Sequence, residues 1–197
     1  LIFQRNDLRI SLDVWEIEYE DRVEVESAQA ILSSNPFGPS ITRNEFGDLI
    51  GVTTTYFNED NTLVKGIDFQ IQYFINLKQS DLSINLMGTN LSDFKTPSLT
   101  NQNLMVNRVG KFNFDTHTFS LPKKRINSFV SWNFKDLSVS LNSRYLDGYV
   151  NERAITGLGL TYGYSNQVKS FFIHDISLKK KLYVSNGNID LRLYLSN

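Results

Sequence analysis

The sequence predicts an all-β fold, an antiparallel up-and-down segment of a transmembrane β-barrel, and three observations carry that prediction. Apolar residues recur with period two in segment after segment, the links between segments alternate long and short, and aromatic residues gather near both ends of the segments. Successive side chains on a strand point to opposite faces, so a two-residue period means one apolar face and one wetted face. A soluble β-sandwich has the same period and turns the apolar face inward, so it stands as the rival architecture.

Taken in order, Leu8, Ile10, Leu12 and Val14 alternate with Arg9, Ser11 and Asp13, after which Trp15, Ile17 and Tyr19 carry the apolar phase. That slip predicts a bulge near Val14 and Trp15. VESAQAIL (25–32) is the one stretch that predicts a helical turn, and the breakers SSNPFGP end it. From about Ile50 to Leu77 the sequence reads as one long strand kinked at NEDNT (58–62). Within it, Ile67, Phe69, Ile71, Tyr73 and Ile75 oppose Asp68, Gln70 and Gln72. Leu82, Ile84 and Leu86 alternate with Ser83 and Asn85. Ile126, Val130, Trp132 and Phe134 alternate with Asn127, Ser131 and Asn133, with Phe129 off the pattern. Leu137, Val139, Leu141 and Tyr145 alternate with Ser138, Ser140, Asn142 and Arg144. Phe172, Ile176, Leu178 and Leu182 alternate with Asp175, Ser177 and Lys179, interrupted by Lys180; Ile189, Leu191, Leu193 and Leu195 alternate with Asp190, Arg192 and Tyr194.

The links at LKQSD (77–81), KD (135–136) and VSNGN (184–188) are short, whereas 20–48, 92–121 and 148–170 are long. Strands that run up and down must place all their short links on one rim, as outer-membrane barrels do at the periplasmic side. Greek-key connections cross between sheets and do not sort this way. Tyr73, Phe74, Trp132, Phe134 and Tyr183 fall near the short links, and Trp15, Tyr19, Tyr145, Tyr149 and Phe171 near the long ones. Two such groups predict aromatic girdles at the two membrane interfaces.

Composition narrows the function classes. The 20 basic and 21 acidic residues are interspersed, for a net charge of -1, so the chain carries no nucleic-acid footprint. The absence of cysteine excludes disulfides, thiolate metal sites and thiol nucleophiles. No apolar run reaches the roughly 20 residues of a spanning helix, whereas a barrel strand needs only about 9 to 11 residues with one apolar face. The first residue is Leu1, no signal segment opens the chain, and LRLYLSN ends inside a strand-like run, so the sequence reads as an excerpt from a longer chain.

Several stretches in order, SLDVWEIEYEDRVEV, AQAIL, ITRNEFG, YFNEDNTLVKGIDFQIQY, SLPKKRINSFVSWNF and LNSRYLDGYVNER, together resemble the C-terminal part of the barrel of a TonB-dependent outer-membrane receptor. The most specific elements are Asn58 with Gly66, Ile67 and Asp68; Leu121, Pro122, Lys123 and Arg125 ahead of Trp132; and Arg144, Tyr145, Asp147, Gly148 and Tyr149. The resemblance implies a barrel of about 22 strands closed around a plug. These 197 residues would supply about seven of its strands as one partial barrel domain, lacking the plug, the TonB box and the last strand. It implies active uptake of a scarce solute, an iron chelate, vitamin or oligosaccharide, across the bacterial outer membrane, by a receptor that is not an enzyme and needs no cofactor. The implied partners are outer-membrane lipid, the TonB complex through a missing N-terminal region, and the solute itself. A carbohydrate-binding β-sandwich module is the alternative.

Candidate sites divide by face. Loop residues Arg43, Arg108, His117, Asn151, Glu152, Arg153, Tyr162 and Tyr164 are candidates for ligand contact: arginines would suit an anionic chelate, and tyrosine with asparagine a neutral glycan. Each has a plainer reading as a solvated loop residue. On the wetted face Asp68, Gln70, Gln72, Asn85, Asn142, Arg144, Asp190 and Arg192 are expected to line the lumen. Turned toward lipid, a charge such as Arg144 would cost roughly 2 to 4 kcal/mol near the bilayer midplane, which fixes the register. His174 and Asp175 are strand neighbours and point to opposite faces, so they make no catalytic pair, and no metal site is expected.

Overall fold

The computed structural model describes residues 1–59, 61–98, 104–112, 120–151 and 165–197. In chain order its elements are β1 (Ile2–Arg5), β2 (Leu8–Tyr19), β3 (Arg22–Val25), α1 (Ala28–Ser34), β4 (Ile41–Arg43), β5 (Leu49–Val52), β6 (Tyr56–Glu59), β7 (Thr62–Leu77) and β8 (Ser80–Pro97). They continue with β9 (Met105–Asn107), β10 (Lys111–Phe112), β11 (Lys124–Phe134), β12 (Leu137–Leu146), β13 (Tyr149–Asn151), β14 (Gln167–Val168), β15 (Phe171–Val184) and β16 (Gly187–Ser196).

One antiparallel sheet dominates, in the order β1-β2-β7-β8-β11-β12-β15-β16, with β9 added to the end of β8. Each long strand pairs with the next long strand in sequence, the up-and-down order expected. The expectation of seven strands is exceeded by β1, whose IFQR pairs with Leu8–Ser11. Four hairpins close through Asn6–Asp7, Lys78–Gln79, Lys135–Asp136 and Ser185–Asn186, all on one rim. Asn6 and Lys135 take φ of 49° and 50°, the left-handed backbone that lets so short a link match strand twist.

Cross-strand partners share a face, so the register assigns each side chain to one side. One rung runs Leu8, Tyr73, Ile84, Val130, Leu141, Ile176, Leu195, entirely apolar or aromatic. The adjacent rung runs Arg9, Gln72, Asn85, Phe129, Asn142, Asp175, Ser196. Phe129, off the pattern in sequence, therefore lies on the polar face.

The apolar band also drifts. Leu8 ends the band of β2 at the short-turn rim, yet its rung arrives at Leu195, which begins the band of β16 at the opposite end. Six strand-to-strand steps thus move the band by six residues, roughly 20 Å of rise against about 29 Å of lateral spacing. A band that stays level in a membrane requires strands tilted by about 35°, within the range of closed transmembrane barrels.

Among the described residues neither sheet face carries a second layer: apart from Pro97 and Pro122, Val64, at 8% exposure, is the one buried apolar side chain, while Val14 is 76% and Leu193 55% exposed. A sandwich buries its apolar face, so the soluble alternative does not fit this architecture.

Three expectations are corrected. No bulge interrupts β2: its ladder with β7 is continuous from Leu8↔Tyr73 to Tyr19↔Thr62. The apolar phase changes because the surroundings change. Beyond Val14 and Ile67, Glu16 and Lys65 occupy the formerly apolar face as an ion pair at 2.8 Å, and Trp15, Ile17 and Tyr19 lie on the other side. The bulge sits instead in β8, where Lys65 pairs Asp93 and Gly66 pairs Leu91, leaving Ser92 over. Second, 50–77 is not one kinked strand. The backbone of β5 pairs with β4 and that of β6 with β3, so only β7 joins the main sheet. Third, the aromatic groups are only partly girdles: Tyr73, Trp132, Phe134 and Tyr145 share the apolar face, but parity puts Trp15, Tyr19, Phe74, Phe171 and Tyr183 on the polar one. The helical turn is present, three residues later than expected, as α1.

Candidate functional site: a polar wall and a pocket at the loop rim

The polar face is cross-linked by side chains. Thr89 donates to Asp68 at 2.6 Å, Gln70 to Asn85 at 3.4 Å, and the hydroxyls of Ser83 and Ser131 and of Ser140 and Ser177 meet at 2.8 and 2.7 Å. Asp175, only 8% exposed, is the centre of the densest part. It accepts from Ser196 at 2.6 Å, from Arg144 at 3.0 Å and from Asn142 at 3.5 Å. A buried carboxylate needs such donors, since leaving it unpaired costs several kcal/mol. Toward the short-turn rim, Asp190 pairs with Lys179 at 3.3 Å and Arg192 at 3.9 Å. Every wall residue expected from sequence, Asp68, Gln70, Gln72, Asn85, Asn142, Arg144, Asp190 and Arg192, has its ladder partners on this one face.

At the long-loop rim the chain builds a small packed base. Thr62 and Thr96 are fully buried, and Glu59, at 4% exposure, is bonded to Arg22 and Thr62. Against it rests α1, started by Ser27, whose hydroxyl accepts from the Ala30 N–H at 3.2 Å. Glu26 ties the same loop down by accepting from the Thr55 N–H at 3.0 Å and its hydroxyl at 2.8 Å. Between helix and strand lies a cavity of about 340 Å³ walled by Glu26, Ser27, Ile31, Asn58, Glu59 and Pro97. Its chemistry is that of hydrogen-bond acceptors over an apolar floor. Sequence reading missed this pocket; the signal available was Ser27, directly after Glu26, ahead of a short helix.

The loop candidates separate. Arg43 donates to the Gly47 carbonyl at 2.8 Å and the Pro36 carbonyl at 3.2 Å, and stacks on Phe37. Arg108 is 8% exposed and bonded to Thr96 and the Pro97 carbonyl. Asn151 ends β13, its N–H on the Asn166 carbonyl. The structure thus places these three in the framework of the loops, at separate positions. His117, Glu152, Arg153, Tyr162 and Tyr164 lie outside the described residues. His174 and Asp175 face opposite ways: His174 Nδ1 meets the Ser143 hydroxyl at 2.9 Å on the apolar side, while Asp175 serves the polar one. Among the described residues no His, Asp and Glu group is arranged to hold a metal ion.

No curated protein matches the chain. Solved structures match its fold. The ferric enterobactin receptor PfeA of Pseudomonas aeruginosa, in a variant form, aligns at TM-score 0.54 and 13% identity over 92% of this chain and 22% of its own. The siderophore receptor PirA of Acinetobacter baumannii aligns at TM-score 0.50 and 15% identity over 99% of this chain and 26% of its own. The chain thus spans about a quarter of the length of these receptors. The model of the family described as "TonB dependent receptor-like, beta-barrel" matches residues 1–197. This tilted, single-layered, up-and-down sheet therefore belongs to the β-barrel of the TonB-dependent receptor family, in the bacterial outer membrane.

Proposed function

We propose that these residues form part of the wall of a receptor that imports a scarce solute across the outer membrane, energised through TonB by a region outside this chain. The observation that carries the reading is the drifting apolar band, which lies level only in strands tilted as a barrel tilts them. On this reading the apolar face meets lipid and the cross-linked polar face lines the lumen. The long-loop rim, with its pocket, faces the medium and meets the solute first. The similar solved structures are receptors for siderophores, which makes an iron chelate the leading solute, ahead of a vitamin or an oligosaccharide. On this reading the protein is a transport receptor rather than an enzyme, as the matching family and the similar solved receptors support.

The test uses the full-length receptor in its native membrane. Cells carrying it are expected to show a heat-modifiable outer-membrane band and energy-dependent accumulation of labelled ferric siderophore that ceases without TonB. A receptor found in the soluble fraction, or uptake unchanged by its deletion across chelates, vitamins and oligosaccharides, overturns the reading.

A further inference from the structure

The apolar face is indented between β8, β11, β12 and β15. Ser128 and Ser143 stand opposite each other across the β11–β12 ladder, among large neighbours. Two short side chains make a floor, and Leu86, Ile126, Tyr145 and Phe172 make walls, around a groove of about 560 Å³. The walls are braced. Tyr145 packs on Phe172 at 4.7 Å between ring centroids, and the Ser143 hydroxyl is held by His174 at 2.9 Å. Lys124 stands at the loop end of the groove, exposed, and pairs with no carboxylate among the described residues.

The level of the groove matters. On β12 the apolar run Leu137, Val139, Leu141 gives way to Ser143 and then Tyr145, and on β15 Ile176 gives way to His174 and Phe172. Hydrocarbon ends and the headgroup layer begins across these residues, so the groove joins an apolar lower half to an upper end where Lys124 stands and the Asp147 carboxylate is taken up by the Tyr145 hydroxyl at 3.0 Å. A lysine there extends its ammonium into the layer where lipid phosphates lie. We propose that the groove seats the upper acyl segment of one anionic, phosphate-bearing lipid of the outer leaflet and that Lys124 pairs with its phosphate. The proposal rests on the lipid-facing assignment of this face given above. Charge complementarity and continuity with the apolar band both favour an anionic lipid over any soluble partner, because the floor opens below the headgroup level.

The test takes the full-length receptor in mild detergent, its fold verified by heat-modifiable migration, as wild type, Lys124→Ala, Lys124→Arg and Ser128→Phe. Each is mixed with phosphatidylglycerol, or with zwitterionic phosphatidylcholine, and bound lipid is counted by native mass spectrometry. Wild type and Lys124→Arg are expected to keep one phosphatidylglycerol in preference to phosphatidylcholine. Lys124→Ala should hold it about five-fold more weakly, and Ser128→Phe, which fills the floor, should lose it. Equal adducts on wild type and Lys124→Ala, or equal retention of the two lipids, overturns the proposal. Should Ser128→Phe not fold, the alanine and arginine variants decide alone. A wild type without heat-modifiable migration would instead count against the barrel assignment itself.

Discussion

Leu141 and Asn142 are neighbours in sequence and opposites in surroundings, Leu141 between Val130 and Ile176 and Asn142 between Phe129 and Asp175. An arginine at the first site would stand on the apolar face, where a charge costs up to roughly 2 to 4 kcal/mol at the midplane and less toward the interface, and at the second it would join a wetted wall. Leu141→Arg is therefore expected to cut the folded yield from outer membranes severely while Asn142→Arg leaves it near wild type; equal yields would contradict the facial assignment. These two positions were legible from alternation alone. The contacts of Gly66 were not. A β-carbon there would stand 2.4 Å from Cζ2 of Trp15, so the glycine exists to let the indole lie flat across β7, a relation that no spacing rule reveals. The loop arginines were illegible for the same reason: that Arg108 is spent on Thr96 and Pro97 depends on a fold of the loop that local sequence does not encode.

β2 shows at the scale of one element how a sequence signal can be real and its cause misread. The switch from Val14 to Trp15 as carriers of the apolar phase suggests a bulge, yet the ladder stays in register and the medium changes instead. On the proposed lipid-facing assignment, the outward face below the switch meets hydrocarbon; above it Glu16 and Lys65 meet water, and on the inward side Thr62 and Val64 of β7 are buried while Ile17 and Tyr19 stay exposed. These 197 residues hold no native cysteine, so labels placed on them compete with no thiol in this stretch. A spin label at Leu12→Cys in the full-length receptor is expected to collide chiefly with dissolved oxygen, and one at Glu16→Cys chiefly with a water-soluble nickel chelate. The same accessibility at both would contradict the change of medium, and a label at Ile17→Cys that collides chiefly with oxygen would restore the bulge. Alternation was readable because lipid enforces it over each whole strand. The division of 50–77 into three strands was not, since β5 and β6 find their partners in a loop rather than in the main sheet.

At the scale of the whole molecule, the sheet ends in two open edges, β1 and β16, whose outward backbone groups have no strand neighbour among the described residues. Hydrocarbon does not tolerate unpaired backbone amides, so only a closed ring satisfies them. Residues 1–197 expressed alone behind an export signal are expected to aggregate or be degraded, with no heat-modifiable band, whereas the full-length receptor shows one. A stable, membrane-inserted fragment would require the edges to pair with each other or with a second copy. The fold class and strand order were legible because tight turns and long links sort onto opposite rims; closure was not, being a property of strands elsewhere.

The four two-residue hairpins carry one more implication. Links that short hold adjacent strands at their hydrogen-bonding distance, so this rim has no slack with which to dilate. If the sheet is part of the wall of an import receptor, as proposed, any gating at this rim falls to a part moving within a fixed frame, and variation in cargo preference to the opposite, longer-looped end.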